Sequence, residues 1–428
     1  MDAPAALSHA TVAETRSGPA GALTFTDEQR AAADLAMGAR GLVVITGGPG
    51  TGKTAVLAEL ARRLAAAGAA HAFVAPTGTA AENVAAAVGG SATVATCAGL
   101  LVDELRAPGL RGEGVLVCDE ASMLTLERLG DLLTLGPARV VLVGDADQLP
   151  PQPEDDGTPA TPLFADLIDC ERVPTARLTR DFRQGAGALR DAVHALRDAW
   201  EPVGRRQLRA ADPSFRYLDG DPLEAVPAGL PAAELPVFLC CSNRLRAELN
   251  DRMQRRFNAE GREVCVATRG RKGVMESAVR VGDPVVCTRN FRDRAGRLVV
   301  ANGTRGVVEQ DDDRPVVRYR RADGAVAHSD YFDAARRRFA TEFVVAYAMT
   351  VHKAQGQGIP RVVVVVEGYE THAWFYTAVS RAIESCEVVN GTEPRLRAIT
   401  ARRRTRGAGS VCRGLRNFDF AQLDPLAP

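Results

Sequence analysis

From position 41 onward the chain alternates short apolar runs with amphipathic stretches. The runs GLVVIT, HAFVA, GVLVCD and RVVLVG are bounded by Gly, Pro or Asp, and helical stretches at 53–67 and 79–88 separate several of them. Alternation of this kind predicts a parallel sheet with covering helices. A loop rich in Pro and acidic residues at 150–162 marks a boundary. A second series starts near Leu163, with helices expected around 187–200 and 243–257 and strands at 237–241 and 284–288. Between about 291 and 340 the pattern changes to short strands, turns at Asn302-Gly303 and Asp323-Gly324, and charges alternating with Val and Tyr. That stretch reads as a small β-barrel inserted into the second α/β unit. The α/β pattern returns at Phe343 and runs to about Val389.

The layout that follows is an Ala-rich disordered tail at 1–22, a first α/β domain at 23–152, a second at 153–290 and 341–400, the insert at 291–340, and a basic, mobile tail at 401–428. The first tail lacks the charged start of a signal peptide. The longest apolar run, 362–366, is a buried strand and far shorter than a membrane span, so no membrane partner is expected.

Lys plus Arg and Asp plus Glu balance at 53 each, so nucleic-acid affinity must come from local basic surface. Nine Cys are scattered with no CxxC pair, and Cys240 and Cys241 are adjacent. That spacing suits neither a zinc framework nor a secreted disulfide set, and it points to a reducing, intracellular compartment, the cytoplasm if the source is bacterial. Only three of the 53 cationic residues are Lys: Lys53, Lys272 and Lys353. A compact ammonium is kept where a flat guanidinium does not fit among phosphates. Lys272 reads as chance, whereas Lys53 and Lys353 fall inside motifs.

The strand GLVVIT runs into GGPGTGKT at 47–54 and then into a helix. This is a P-loop in its strand–loop–helix setting, and it implies ATP with Mg²⁺. Backbone N–H groups from Gly48, Pro49, Gly50, Thr51 and Gly52 (all but the proline) turn inward around phosphates, helped by the helix N-terminus. Lys53 reaches the β and γ phosphates, and Thr54 offers its hydroxyl to Mg²⁺. VLVCDEAS at 115–122 ends an apolar strand in two carboxylates. Asp119 is placed to hold the metal's water shell and Glu120 to orient or deprotonate the attacking water. Gln148, three residues after Asp145, is a candidate γ-phosphate sensor, with a surface-loop glutamine as the alternative.

In this order the motifs resemble superfamily 1 helicases of the RecD-like branch, which includes Dda and the Pif-type enzymes. The likeness runs from about Phe25 to Val389. It implies two RecA-like P-loop NTPase domains with parallel sheets and a small β-barrel inserted in the second. FTDEQRAAA resembles the N-terminal Gln motif, which makes Gln29 the adenine reader. APTGTAAENV resembles motif Ia, with Pro76, Thr77 and Gly78 against a DNA strand. DEASM and GDADQLPP resemble motifs II and III, and LTRDFRQ at 178–184 resembles motif IV, making Arg183 the first arginine finger. AYAMTVHKAQGQG resembles motif V, with Thr350, His352 and Lys353 as strand contacts, a core imidazole being the alternative for His352. FYTAVSRAIESCEVV at 375–389 resembles motif VI, making Arg381 the second finger, and ANGTRGVV at 301–308 the entry to the barrel. Fingers supplied across a cleft are worth roughly 10³–10⁵ in rate. The cluster Trp374, Phe375 and Tyr376 reads as core packing, with base stacking the alternative.

Two departures stand out. ATCAGLL at 95–101 lacks the basic residue usual after motif Ia, and only 102–115 remain for the β-hairpin that splits the duplex in this branch. The resemblance implies an ATP-dependent helicase moving 5′→3′ on single-stranded DNA or a forked duplex, the direction resting on the resemblance alone. The alternatives are an ATP-gated nucleic-acid clamp or translocase with little unwinding, and an RNA-directed helicase. A metabolic kinase would not need motifs Ia, V and VI in order.

Overall fold

The computed structural model describes residues 25–402 except 103–108, 152–161, 183–186, 200–211, 228, 232–233, 266–267, 270–274, 293–297, 312–313, 321–324 and 329–342. Six parallel strands form the first sheet, in the order Thr93–Thr96, His71–Ala75, Val115–Cys118, Arg139–Gly144, Gly41–Gly47, Thr175–Leu178. Because the inner strands are covered on both faces, they are apolar throughout rather than alternating. Their side chains still alternate in direction. Ile45, Val117, Val141 and Val143 meet helices Asp27–Gly38 and Lys53–Ala66 through Ala32, Ala36, Leu57 and Leu60. Leu42, Val44, Leu116 and Leu142 meet Leu100, Leu129, Leu132 and Phe164 on the other side.

The expected end of the first domain at residue 152 falls short. Thr175–Leu178 pairs in parallel with Gly41–Gly47, and helix Leu163–Ile168 sends Leu163, Phe164 and Leu167 into the first core. As the edge strand of the sheet, TARL is only partly covered. Its polar residues hide it from a search for apolar runs.

The second sheet has five parallel strands, in the order Ala348–Thr350, Val237–Cys240, Ile359–Val365, Ala382–Val389, Phe215–Leu218. Helices Asn243–Phe257, His372–Val379 and Glu393–Ala401 pack on it. The insert is a five-stranded antiparallel sheet, ordered Val326–His328, Arg314–Arg320, Arg305–Asp311, Pro284–Cys287, Phe343–Val345. It takes in Pro284–Cys287 and Phe343–Val345, which lie outside the expected 291–340. PVVC is buried at all four positions, so it reads like a parallel-sheet strand. The insert shares its core with the second domain: Val285, Val308, Val317 and Phe343 pack with Phe238, Leu249 and Met253. Among the described residues no helix is long and apolar enough to cross a membrane.

Candidate active site between the two α/β layers

The buried strand Gly41–Gly47 delivers the phosphate loop to the start of helix Lys53–Ala66. Gly50 and Gly52 adopt φ of 79° and 85°, values side-chain-bearing residues avoid. The loop is closely wrapped. A Cβ on Gly47 would lie 2.5 Å from Thr51 Oγ1, and one on Gly52 would overlap the Gln29 amide. Thr51 Oγ1 donates to Gly48 O at 2.9 Å, bracing the turn around Pro49. Lys53 Nζ donates to the carbonyls of Gly47 and Gly48 at 2.7 and 2.9 Å. The first turn of this helix carries no acidic residue to compete for its N–H groups. A cradle this tight, with Lys53 folded over it and Thr54 in the first turn, fits the phosphates of a nucleotide.

Gln29 lies against the loop from the other side. Its Oε1 accepts from Thr26 N at 3.0 Å in a capping box, and its Nε2 donates to Thr51 O at 3.3 Å.

Strand Val115–Cys118 ends at Asp119, whose N–H donates to Val74 O at 2.9 Å. Loss of hydration, then the neighbouring Glu120 charge, push the Asp119 carboxyl above the usual range, while Lys53 pulls the other way. Two crowded carboxylates within the electrostatic reach of Lys53 are a donor set that fits a hard divalent cation such as Mg²⁺. Glu120 has φ 50° and ψ 38°, one of two left-handed non-glycine residues among those described. Such strain is retained where the surroundings demand it, and it collects at functional sites.

At the end of strand Arg139–Gly144, Asp145 is a buried hub. Its Oδ1 accepts from Asp147 N at 3.1 Å, and its Oδ2 accepts from Gln148 Nε2 at 3.2 Å and from Tyr376 Oη at 2.9 Å. Leu149 N donates to Thr377 Oγ1 at 2.9 Å, and Gln355 Nε2 reaches Leu149 O at 3.5 Å. Gln148 is buried, and its Oε1 has no partner among the described residues.

Arg381 is 3% exposed and sits at the end of helix His372–Val379. Its guanidinium donates to Thr377 O at 3.2 Å, Ser380 Oγ at 3.2 Å and Gln357 O at 3.4 Å. Gln357 belongs to the loop whose Gly356 faces Glu120, so Arg381 lies behind that loop. Arg183 lies outside the described residues. The segment leading to it runs along the phosphate loop: Phe182 N donates to Gly50 O at 2.8 Å, and Thr179 N to Glu28 Oε2 at 2.7 Å.

The expected strand contacts occupy the ends of one strand in each sheet. Pro76 and Thr77 follow His71–Ala75, and Thr77 Oγ1 caps helix Gly78–Val88 by accepting from Ala80 N at 3.3 Å. A Cβ on Gly78 would overlap Asn290 Oδ1, so the insert touches this segment. Thr350 precedes the short helix Val351–Ala354 without a side-chain cap bond, and half-buried His352 and Lys353 lie on that helix. The two segments are joined where Asn83 Nδ2 donates to Gly356 O at 3.0 Å.

Sequence reasoning read Tyr376 as core, which its burial bears out, but missed its hydroxyl bond to Asp145, and it missed Thr377, Gln355 and Asn83. The polar tip on a buried aromatic was the one available signal for Tyr376; the others depend on which loops meet in space.

Residues 24–211 match the family described as AAA domain, and residues 345–389 match that of the UvrD-like helicase C-terminal domain. The chain is 31% identical over 454 residues to the RecBCD enzyme subunit RecD of Mycobacterium tuberculosis, spanning 90% of this chain and 72% of that one. It is also 31% identical over 388 residues to the ATP-dependent RecD2 DNA helicase of Deinococcus radiodurans, over 84% of this chain and 48% of that one. Its fold is similar to that of Pif1 helicase from Candida albicans (TM-score 0.59, 21% identity, 87% of this chain and 97% of that one). It is likewise similar to Bacteroides Pif1 bound to ssDNA (TM-score 0.60, 18% identity, 87% and 94%). The chain belongs to the RecD-like branch of superfamily 1, the ATP-dependent DNA helicases.

Proposed function

We propose that the chain moves along single-stranded DNA in the 5′→3′ direction, unwinding forked duplex by closing and opening the cleft between its two α/β domains. One observation carries this reading. The backbone of Gly356 faces the Glu120 carboxylate, whose Oε1 lies 3.8 Å from the point a Cβ would occupy there. The same glycine's carbonyl accepts from Asn83, on the helix that begins at the Gly78 strand-contact segment. A shift of a strand held at either segment therefore moves the loop beside the hydrolytic carboxylate.

In this reading Gln29 holds the adenine. Gly48, Pro49, Gly50, Thr51, Gly52 and Lys53 hold the phosphates, and Thr54 with Asp119 holds Mg²⁺. When bound there, Mg²⁺ would supply charge neutralisation for the phosphates. Glu120 orients the attacking water and takes its proton. Gln148 senses the terminal phosphate by turning its amide Nε2, which donates to Asp145 here, toward it, since only the NH2 end of the amide can bond a phosphate oxygen. Arg183 and Arg381 stabilise the charge that develops during cleavage, and domain closure brings them in. Pro76, Thr77 and Gly78 grip the strand on one side, and Thr350, His352 and Lys353 on the other. The antiparallel insert closes as a small barrel beside this path. The Bacteroides Pif1 structure is bound to ssDNA, and another Pif1 structure concerns unwinding at forked dsDNA; we take the same partners for this chain.

The test is ATP hydrolysis with and without single-stranded DNA, for the native chain and Lys53→Ala, followed by partial duplexes with one free 5′ or 3′ tail. Strand-stimulated turnover that Lys53→Ala abolishes, with displacement only on the 5′ tail, is expected. Displacement only on the 3′ tail overturns the direction. Stimulated turnover without displacement makes the chain a translocating clamp, and stronger stimulation by RNA redirects the substrate.

A further inference from the structure

Helix Ala188–His194 does not continue as an α-helix but passes into a π-helical turn, Ala195–Ala199. Such turns are rare and are frequently found at functional sites. This one is fastened from outside: His372 Nε2 lies 2.8 Å from Leu196 O, and the His372 and Tyr376 rings stack with centroids 6.5 Å apart. The next residue, Arg197, reaches from the second domain to the phosphate loop of the first. Its Nη1 lies 2.8 Å and its Cδ 3.3 Å from the point a Cβ would occupy on Gly48, and Tyr376 Oη lies 3.4 Å from the same point. Lys53 Nζ meets Gly48 as well, at its carbonyl. Two cations from two domains thus converge on one loop residue, and only a glycine leaves room for the guanidinium. Like charges gathered this way favour an anion beside them.

We propose that Arg197 is a third phosphate-contacting arginine, which grips the terminal phosphate of a bound nucleoside triphosphate and transmits its presence to the π turn. The proposal rests on the ATPase reading above. In that reading Gln29, at Thr51 and Gly52, marks the base end of the loop, so Gly48 lies at the terminal-phosphate end. A guanidinium fork suits two phosphate oxygens at once, and its planar donors are not replaced by an ammonium. Nothing in local sequence distinguishes this arginine; its position against Gly48 does.

The experiment is equilibrium binding, with Mg²⁺, of a fluorescent non-hydrolysable ATP analogue and of fluorescent ADP to the full chain and to Arg197→Gln, Arg197→Lys and Arg197→Ala, alongside thermal melts. Losing a charge-assisted contact to the terminal phosphate is expected to weaken the triphosphate by about tenfold or more, with ADP affinity within about twofold of native. Arg197→Lys is expected to fall between native and Arg197→Gln. Equal weakening of both nucleotides, or none, overturns the proposal. So does a fall in melting temperature with an unchanged ratio of the two affinities, which makes Arg197 a brace for the π turn only. Failure of the native chain to bind either nucleotide sinks the ATPase reading instead.

Discussion

The phenol of Tyr376 donates to Asp145 Oδ2 at 2.9 Å, and Gln148 Nε2 approaches the same oxygen at 3.2 Å. A residue of the second domain thereby shares a carboxylate with the candidate phosphate sensor of the first. Burial, then the Asp145 charge, raise the phenol well above its usual value, so it stays a donor at any working pH. Tyr376→Phe keeps the ring and removes the bond. It is expected to cost about 1–3 kcal/mol, because Asp145 keeps its burial and loses a donor. It is also expected to reduce DNA stimulation of ATP hydrolysis more than basal hydrolysis. Melting temperature and turnover with and without single-stranded DNA are the measurements. Unchanged stimulation would mean that the bond serves packing only.

Glu120 offers a substitution that separates stability from activity. Its left-handed backbone costs a non-glycine residue about 1–2 kcal/mol. Glu120→Gly and Glu120→Asn relieve that cost, since glycine and asparagine enter this region readily. Both variants are expected to melt at or above the native temperature while single-turnover hydrolysis falls about 10²–10⁴-fold, as removal of a general base does. A melting temperature several degrees lower would assign the side chain a structural task.

The phosphate loop and the Asp119-Glu120 pair were legible because each is a contiguous string whose chemistry depends on its immediate neighbours. The alternation of strands and helices was legible for the same reason. What stayed hidden depends on edges and on meetings in space. Thr175–Leu178 is an edge strand with two polar positions, so no apolar run marks the true extent of the first sheet. Pro284–Cys287 looks like a parallel strand because it is covered on both sides, yet its neighbours are antiparallel. Tyr376 was legible as core, correctly, since the ring is fully buried. Its hydroxyl partner lies 231 positions away. Arg197 is one guanidinium among many, and only the fold brings it to Gly48.

Gly78 is one point where the insert meets the first domain, beside the Thr304–Glu82 contact. A Cβ there would overlap Asn290 Oδ1 and lie 2.9 Å from Ala301 Cβ, while Asn290 Oδ1 already accepts from Asn302 N at 2.7 Å. Gly78→Ala must therefore push the insert away from the proposed strand-contact segment. Overpacking of this kind typically costs about 1–3 kcal/mol. If strand grip depends on that contact, single-stranded DNA affinity falls roughly tenfold, with nucleotide affinity unchanged. Fluorescence anisotropy with a labelled oligonucleotide and a nucleotide titration read the two quantities. Equal losses in both would place the damage in the phosphate loop rather than at the insert.

Glu59 gives the fold an acid-sensitive clasp. It accepts from Arg62 at 2.8 and 2.7 Å and from Arg63 at 2.7 Å, and Arg63 Nη1 reaches on to Asp34 at 2.5 Å, so helix Lys53–Ala66 is tied to Asp27–Gly38. The Arg62 bonds, then those of Arg63, outweigh burial and hold its carboxyl down at about 2, from an ordinary 4.5. A carboxyl held low in the folded state binds fewer protons there than in the unfolded chain. Its stabilisation is therefore complete above 4.5 and is lost as pH falls toward 2. Arg62 is two-thirds exposed, so solvent screens much of the attraction and the clasp contributes only modestly. Glu59→Gln is expected to lower the urea midpoint near neutral pH by roughly a few tenths of a molar. The gap from native should narrow as pH drops from about 5 to about 3, and shrink in high salt. Urea titrations across that range settle the matter: a gap constant with pH would mean that Glu59 acts through packing, and that its charge contributes nothing.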